Sequence, residues 1–289
     1  MNNTVSVITR TRRRPDFLRR AFSSVAAQRL PGGGQVEWVI VNDDLPSSAV
    51  ADIASAARDQ GLTCVQIDTG VEAGGGRAAA ANAGVRAASG WAYLLHDDDD
   101  TLAPDALAAL SEALAAQADF AASACGVEEV SETGAEDLNP SVSASPMFQR
   151  DYPLSLIEVA YRNPLPPIGL MVRRSAFDKA GGYDDGLPVL EDWEFLLRLL
   201  MQDEVECIPP LLARHHRRTA EGDAANSADE LHRRWDIIIR NRLLRADINA
   251  GAGGMGALAN VHDRLTGERL NKLLGSVSGF ARRFGHKPR

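Results

Sequence analysis

Along the first 120 or so residues, short apolar and β-branched runs alternate with longer stretches whose apolar positions recur every three or four residues. The spacing predicts strands at Val5–Thr9, Val36–Val41, Thr63–Ile67 and Trp91–Leu95. It predicts helices at Pro15–Gln28, Ser47–Arg58, Arg77–Ala88 and Pro104–Gln117. Pro15 suits a first helical turn, and Phe17, Leu18, Ala21, Phe22 and Val25 then share one face. Such β-α repetition implies an α/β chain with a Rossmann-like, open, mostly parallel sheet flanked by helices. Ligands of such sheets gather beyond the carboxyl ends of the strands, so the residues just after each strand are where chemistry is expected.

From Glu128 to Tyr152 the pattern dissolves into Ser, Glu, Pro, Gly and Asn, and the stretch reads as a long loop, functional or mobile. Beyond it come a strand at Gly169–Arg173, a turn at Gly181-Gly182 and an apolar helix over Glu191–Met201. A short strand, Leu211–Arg214, follows Pro209-Pro210. Ser227 with Glu230 three residues on makes a capping box for a helix running to about Ala246. A glycine-rich break at 251–256 then leads to a last helix. Two units are expected: an α/β domain over residues 1–218 and a C-terminal helical extension over 219–289. Gly251 to Gly256 matches G-x-G-x-x-G literally, but it follows a helix instead of a strand and reads as a flexible break.

With 289 residues, 45% of them apolar, the chain can bury a sizeable core. The net charge of −8 argues against nucleic acid as a partner. That charge is uneven: residues 264–289 carry seven Lys or Arg against Glu268 alone. Leu270, Leu273, Leu274, Val277, Phe280 and Phe284 line one stripe of this basic tail, a pattern that suits either an anionic membrane surface or packing on the body. No signal-peptide pattern opens the chain and no apolar run is long enough to span a bilayer, so the expected location is cytoplasmic, with peripheral contact at the inner face of the membrane. Cys64, Cys125 and Cys207 have no metal-ligand spacing and read as small core residues.

The strongest chemical signal is Asp97-Asp98-Asp99-Asp100, directly after the strand Trp91–Leu95. Four adjacent carboxylates repel one another, and hard oxygen ligands suit Mg²⁺ or Mn²⁺ carrying a diphosphate. A solvated acidic loop is the other reading. Asp43-Asp44 follows the second strand and faces the same rim, as carboxylates able to accept from a base or ribose, or as turn formers before Pro46. Gly74-Gly75-Gly76-Arg77, with Asn82, opens the third helix, where glycines admit a close approach and Arg77 can pair with phosphate. Glu191-Asp192 starts another helix, as a general base or as ordinary first-turn carboxylates. Of His215-His216, at most one can serve a site, because neighbours on a strand point to opposite faces.

These elements occur in an order that resembles the family 2 glycosyltransferases with the GT-A fold. The stretches that carry the resemblance are VSVITRTRRRPDFLRRAFSSVAAQ from Val5, VEWVIVNDD from Val36, GGGRAAAANAGVRAASG from Gly74, WAYLLHDDDDTLAPD from Trp91 and GLMVRRSAFDKAGGYDDGLPVLEDWEFLLRL from Gly169. The resemblance implies nucleoside contacts at Thr9 and Asp44, with Arg77 and Asn82 nearby. It implies a D-x-D motif at Asp97 and Asp99, with Asp99 on the metal, a catalytic base at Asp192, and a further metal or diphosphate contact at His216. Mn²⁺ or Mg²⁺ is the implied cofactor, and a nucleotide-sugar, UDP-linked by preference, the implied donor. The acceptor implied is a glycan or lipid-linked hydroxyl, as in cell-surface polysaccharide or glycolipid synthesis, with inversion at the anomeric carbon. Arg13 departs from the Asn common at its position. A non-catalytic nucleotide-sugar binding module and a nucleotidyltransferase on a related sheet are the alternatives.

Overall fold

The computed structural model describes residues 3–44, 46–70, 76–132, 141–218, 229–251 and 254. Nine strands form one sheet in the order β3-β2-β1-β4-β8-β6-β9-β5, with β7 paired to β6. The first half matches the pattern expected from the alternating runs. β1 (Thr4–Thr11), β2 (Gln35–Asn42), β3 (Thr63–Asp68) and β4 (Ala92–Asp97) are parallel neighbours. They are joined through α1 (Pro15–Ala26), α2 (Ser48–Asp59) and α3 (Arg77–Ala87).

Alternation along the strands shows how both faces are covered. On β2, Trp38 stacks on Phe22 of α1, with ring centroids 5.4 Å apart. Val41, of opposite parity, lies under α3, where a side chain on Gly84 would meet Val41 at 2.9 Å and Ile8 of β1 closer still. A glycine on α3 is therefore what lets that helix lie against the sheet. Arg10 shares the parity of Ile8 and so points to the α3 side, whereas Thr9 points to the α1 side.

Beyond β4 the sheet is mixed. β8 (Leu170–Arg173) runs antiparallel between β4 and β6 (Ala122–Glu132), and β6 runs parallel to β9 (Val205–Arg218). β5 (Thr101–Leu102) closes the far edge against β9. The long loop expected over 128–152 is corrected here. β6 continues through Glu132, and β7 (Ser141–Phe148) pairs antiparallel with it, so a polar stretch forms an edge hairpin. β9 is likewise longer than the short strand expected. It absorbs Pro209-Pro210 in a bulge between the pairs Cys125–Ile208 and Gly126–Leu211. Prolines lack the N–H that a regular ladder needs, and Gly126 leaves room for the Pro210 carbonyl, 2.8 Å from where a Cβ would stand.

α4 (Ala106–Ala116), α5 (Leu156–Tyr161), α6 (Arg174–Ala180) and α7 (Glu191–Leu200) complete the body. α8 (Asp229–Ala250) docks through buried Ile239 and through Arg240, which donates to the Ala160 and Tyr161 carbonyls and lies over the Trp193 ring. Gly251, at φ 66°, ends it. Among the described residues no helix is long and apolar enough to cross a membrane. Ser227, most of the 251–256 break and the basic tail lie outside the described residues. Cys125 and Cys207 are buried and Cys64 half-buried, all as free thiols.

The close contact at Gly84 gives the first prediction. Gly84→Ala should lower the urea-unfolding free energy by about 1–3 kcal/mol through overpacking between α3 and the sheet. A change within a few tenths of a kcal/mol would show that α3 is free to lift.

Candidate active site

β1 and β4 pair with Thr9 beside His96 and Arg10 beside Asp97. That register generates the central contact of the site. Arg10 donates from Nε and Nη2 to Asp97 Oδ1 at 2.9 and 2.6 Å. Its Nη1 reaches Glu191 Oε1 at 2.8 Å and the Arg77 carbonyl at 3.0 Å. One buried guanidinium thus joins the end of β4, the start of α3 and the first turn of α7. Burial by itself would disfavour the charge, but Asp97 and Glu191 outweigh it and hold Arg10 more firmly protonated than usual. For Asp97 the balance is similar: desolvation pushes its carboxyl up, and Arg10 with Arg77 brings it well below the ordinary range.

The four aspartates divide by direction. Asp98 and Asp100 point inward and anchor the turn. Asp98 accepts from Thr11 Oγ1 at 2.7 Å, and its Oδ1 lies 2.5 Å from Arg14 Nη2, off the hydrogen-bond axis, so that contact is charge on charge. Burial pushes the Asp98 carboxyl up, to about 7. Asp100 accepts from the His216 backbone N–H at 2.9 Å and lies 3.2 Å from His215 Nδ1. Burial would lower His215, but Asp100 outweighs it and raises the imidazole to about 9. The turn is held from beneath by a chain of donors. Trp38 Nε1–H donates to Thr9 Oγ1 at 2.7 Å, and His96 Nε2 sits 3.0 Å from the Asp100 carbonyl. A carbonyl only accepts, so the proton is on Nε2, and Thr9 donates to Nδ1 at 2.9 Å.

Asp97 and Asp99 instead open on to a cavity of about 510 Å³. Arg12, Arg14 and Arg77 line it, with Asp43 and His215. The expectation that four neighbouring carboxylates demand a divalent cation is only partly met, because the protein supplies its own. Asp99 Oδ2 is shared by Arg14, at 3.2 Å, and Arg218. Arg20 donates to the Asp99 carbonyl and, at 2.5 Å, to Glu132. Asp97 Oδ2 and Asp99 Oδ1 nevertheless have no protein partner among the described residues. Two open carboxylates fit a hard divalent ion that takes its other ligands from phosphate and water. Among the described residues no group of three or more His, Cys, Asp or Glu could hold a metal by itself.

Asp192 follows the Arg10-bound Glu191; it does not line the cavity of Asp97 and Asp99 but a separate small apolar crevice, with Leu95, Tyr183 and Phe195. Asn163 Nδ2 donates to its Oδ2 at 2.9 Å. Burial first, and Glu191 second, raise its carboxyl to about 6. Two non-glycine residues in the left-handed region, Arg13 at φ 56° and Leu190 at φ 64°, flank this rim.

The other expected positions are placed as follows. Thr9 is fully buried with its hydroxyl bonded to Trp38 and His96. Asn82 spends its amide on the Tyr183 backbone and on Asp185, pinning the loop before α7 to α3. His216 is buried with Nδ1 at Glu132, 2.7 Å, and Nε2 at Thr101, 2.9 Å, and burial with Arg20 lowers it to about 4. Its neighbour His215 is the one on the cavity wall. Asp44 is paired with Arg13, and Asp43 lines the cavity. Arg10, Arg14, Arg218 and Asn163 were not expected at all. For Arg10 a signal existed: a charge inside a run that is otherwise apolar or small.

Residues 6–160 match the profile of glycosyl transferase family 2. The "uncharacterized glycosyltransferase" Rv1514c of Mycobacterium tuberculosis is 30% identical over 243 residues, 80% of this chain and 85% of that protein. In fold the chain is similar to S. aureus TarS 1–349 in complex with UDP-GlcNAc, with a TM-score of 0.62 at 18% identity over 97% of this chain and 76% of that one. It is also similar to the mannosyltransferase PcManGT of Pyrobaculum calidifontis in complex with GDP-Man and Mn²⁺, with a TM-score of 0.55 at 18% identity over 96% and 80%.

Removing the buried cation should be costly. Arg10→Met leaves Asp97 and Glu191 without their common partner and should cost about 3–5 kcal/mol in chemical denaturation. A loss below about 1 kcal/mol would mean that the three segments hold together without it.

Proposed function

The chain belongs to glycosyl transferase family 2 and is a glycosyltransferase; from that premise we propose a metal-dependent, inverting transfer from a nucleoside-diphosphate sugar, UDP-linked by preference, to an acceptor hydroxyl. The observation that carries this reading is the Arg10 bridge, which ties Glu191, the chain neighbour of Asp192, to Asp97 on the wall of a cavity lined by Arg12, Arg14 and Arg77. Structures of similar fold hold UDP-GlcNAc in one case and GDP-Man with Mn²⁺ in another, which supports a nucleotide-sugar donor.

On this reading Asp97 and Asp99 hold Mn²⁺ or Mg²⁺ through their open oxygens. The bound ion would supply charge stabilisation to the departing diphosphate. Arg77, exposed at the N-terminus of α3 behind Gly76, pairs with the phosphates where the helix end also favours negative charge. Asp43 accepts from the nucleoside. Asp192 takes the proton of the acceptor hydroxyl, with Asn163 fixing one carboxylate oxygen. A carboxyl raised to about 6 is a better base than an exposed aspartate and is still ionised at neutral pH. The acceptor class we favour is a glycan or lipid-linked hydroxyl in cell-surface polysaccharide or glycolipid synthesis. Residues 219–289 are proposed as the extension that serves it, in a cytoplasmic protein with peripheral contact at the inner membrane face.

Screening nucleotide sugars with Mn²⁺ or Mg²⁺ should yield metal-dependent release of the nucleoside diphosphate, and release of pyrophosphate would favour nucleotidyl transfer instead. Asp192→Asn should lower kcat on the order of 10²–10⁴-fold with donor binding kept. Near-normal turnover would remove Asp192 from the base role. Because the base acts ionised, kcat should rise with pH through an apparent pKa near 6 and level off above it. A profile flat from pH 5 to 8 would contradict the assignment.

A further inference from the structure

Six carboxylates around the acidic turn are met by four permanent cations, and His215 adds a fifth partner at Asp100. Asp97, Asp98, Asp99, Asp100, Glu132 and Glu191 face the guanidiniums of Arg10, Arg14, Arg20 and Arg218 within ion-pair distance or one residue away. Guanidiniums do not deprotonate in proteins, so this compensation is fixed. It is also held mechanically. The ring of Phe17 lies against Arg14, Arg20 and Arg218, whose guanidinium carbons are 5.7, 5.4 and 4.4 Å from its centroid. Arg218 and Arg14 both sit on Asp99 Oδ2, beside the one oxygen of that residue left open to the cavity.

A divalent ion approaching Asp99 therefore meets two positive charges a few ångströms away, and only two open carboxylate oxygens. Carboxylates free of arginine would attract it strongly, but these are largely neutralised. A nucleoside diphosphate changes both terms, since it adds negative charge and supplies further oxygen ligands. We propose that Arg14 and Arg218 act as built-in counter-cations that keep a divalent metal off Asp99 until a nucleoside diphosphate arrives, so that metal and nucleotide bind as a coupled pair. The inference rests on the nucleotide-sugar reading of this cavity.

Coupling is reciprocal: whatever factor the nucleotide adds to metal affinity, the metal adds to nucleotide affinity. The test is Mn²⁺ binding to the full chain, read from the electron paramagnetic resonance signal of free Mn²⁺, alone and with saturating UDP or GDP. Wild-type protein should bind Mn²⁺ alone weakly, and one of the two nucleotides should tighten it by ~10-fold or more, within the usual range of site-to-site coupling. Arg14→Gln should tighten nucleotide-free Mn²⁺ binding by about tenfold and shrink the coupling factor. Arg14→Lys, which keeps the charge, should behave as wild type. Thermal unfolding of each variant identifies any that fails to fold, and the wild-type coupling factor stands without them. Equal Mn²⁺ affinity with and without nucleotide would overturn the proposal, as would unchanged or weaker metal binding in folded Arg14→Gln. If neither UDP nor GDP binds under any condition, the nucleotide-sugar reading itself fails and the proposal with it.

Discussion

A guanidinium out of water is tolerable only when its hydrogen bonds and charge are answered, and Arg10 is answered on three sides. Asp97, Glu191 and the Arg77 carbonyl come from segments far apart in sequence, and the buried cation holds them at mutual distances that packing alone would not fix. The cost of leaving any of these partners bare is large in a low-dielectric interior. The tight turn 97–100, the start of α3 and the first turn of α7 share that one partner, Arg10.

The same logic explains why a run of four aspartates is compatible with a stable fold. Two of them, Asp98 and Asp100, serve as anchors to β1 and β9, and only Asp97 and Asp99 face the cavity. Arginines on β1, α1 and β9 and in the β1–α1 loop offset the charge of the group. A site built this way is electrically quiet when empty, yet it has an exposed cationic edge at Arg12 and Arg77 and an acidic floor. That polarity suits a ligand that is anionic at one end and arrives with a cation.

How far the sequence reveals this depends on the kind of information each part needs. The first four strands and their helices were legible because burial on both faces leaves long apolar runs. Local pattern also showed Asp97–Asp100 following β4 and Glu191-Asp192 opening α7. Partnerships were not legible. Arg218 pairs with Asp99 across more than a hundred residues, and nothing near either residue announces it. The β6–β7 hairpin escaped because an edge hairpin with polar strands lacks the apolar run that marks a buried strand. The histidines show the limit most clearly. Parity along β9 requires that only one of His215 and His216 face the cavity, but the bulge at Pro209-Pro210 shifts the register and so decides which. No local signal could give that answer. Thr9 and Asn82 are another case: their hydrogen bonds, to Trp38 and His96 and to Tyr183 and Asp185, join elements far apart in sequence.

The account stands on Asp97 and Asp99 sharing one divalent ion with a nucleotide diphosphate at the rim that Arg10 assembles. Crystals of the protein soaked with Mn²⁺ and a nucleoside diphosphate, measured for anomalous scattering at the manganese edge, test this most directly. The predicted result is one strong peak between the open oxygens of Asp97 and Asp99, with the diphosphate between that peak and Arg77. A peak elsewhere on the molecule, or a nucleotide bound away from this cavity, would contradict it.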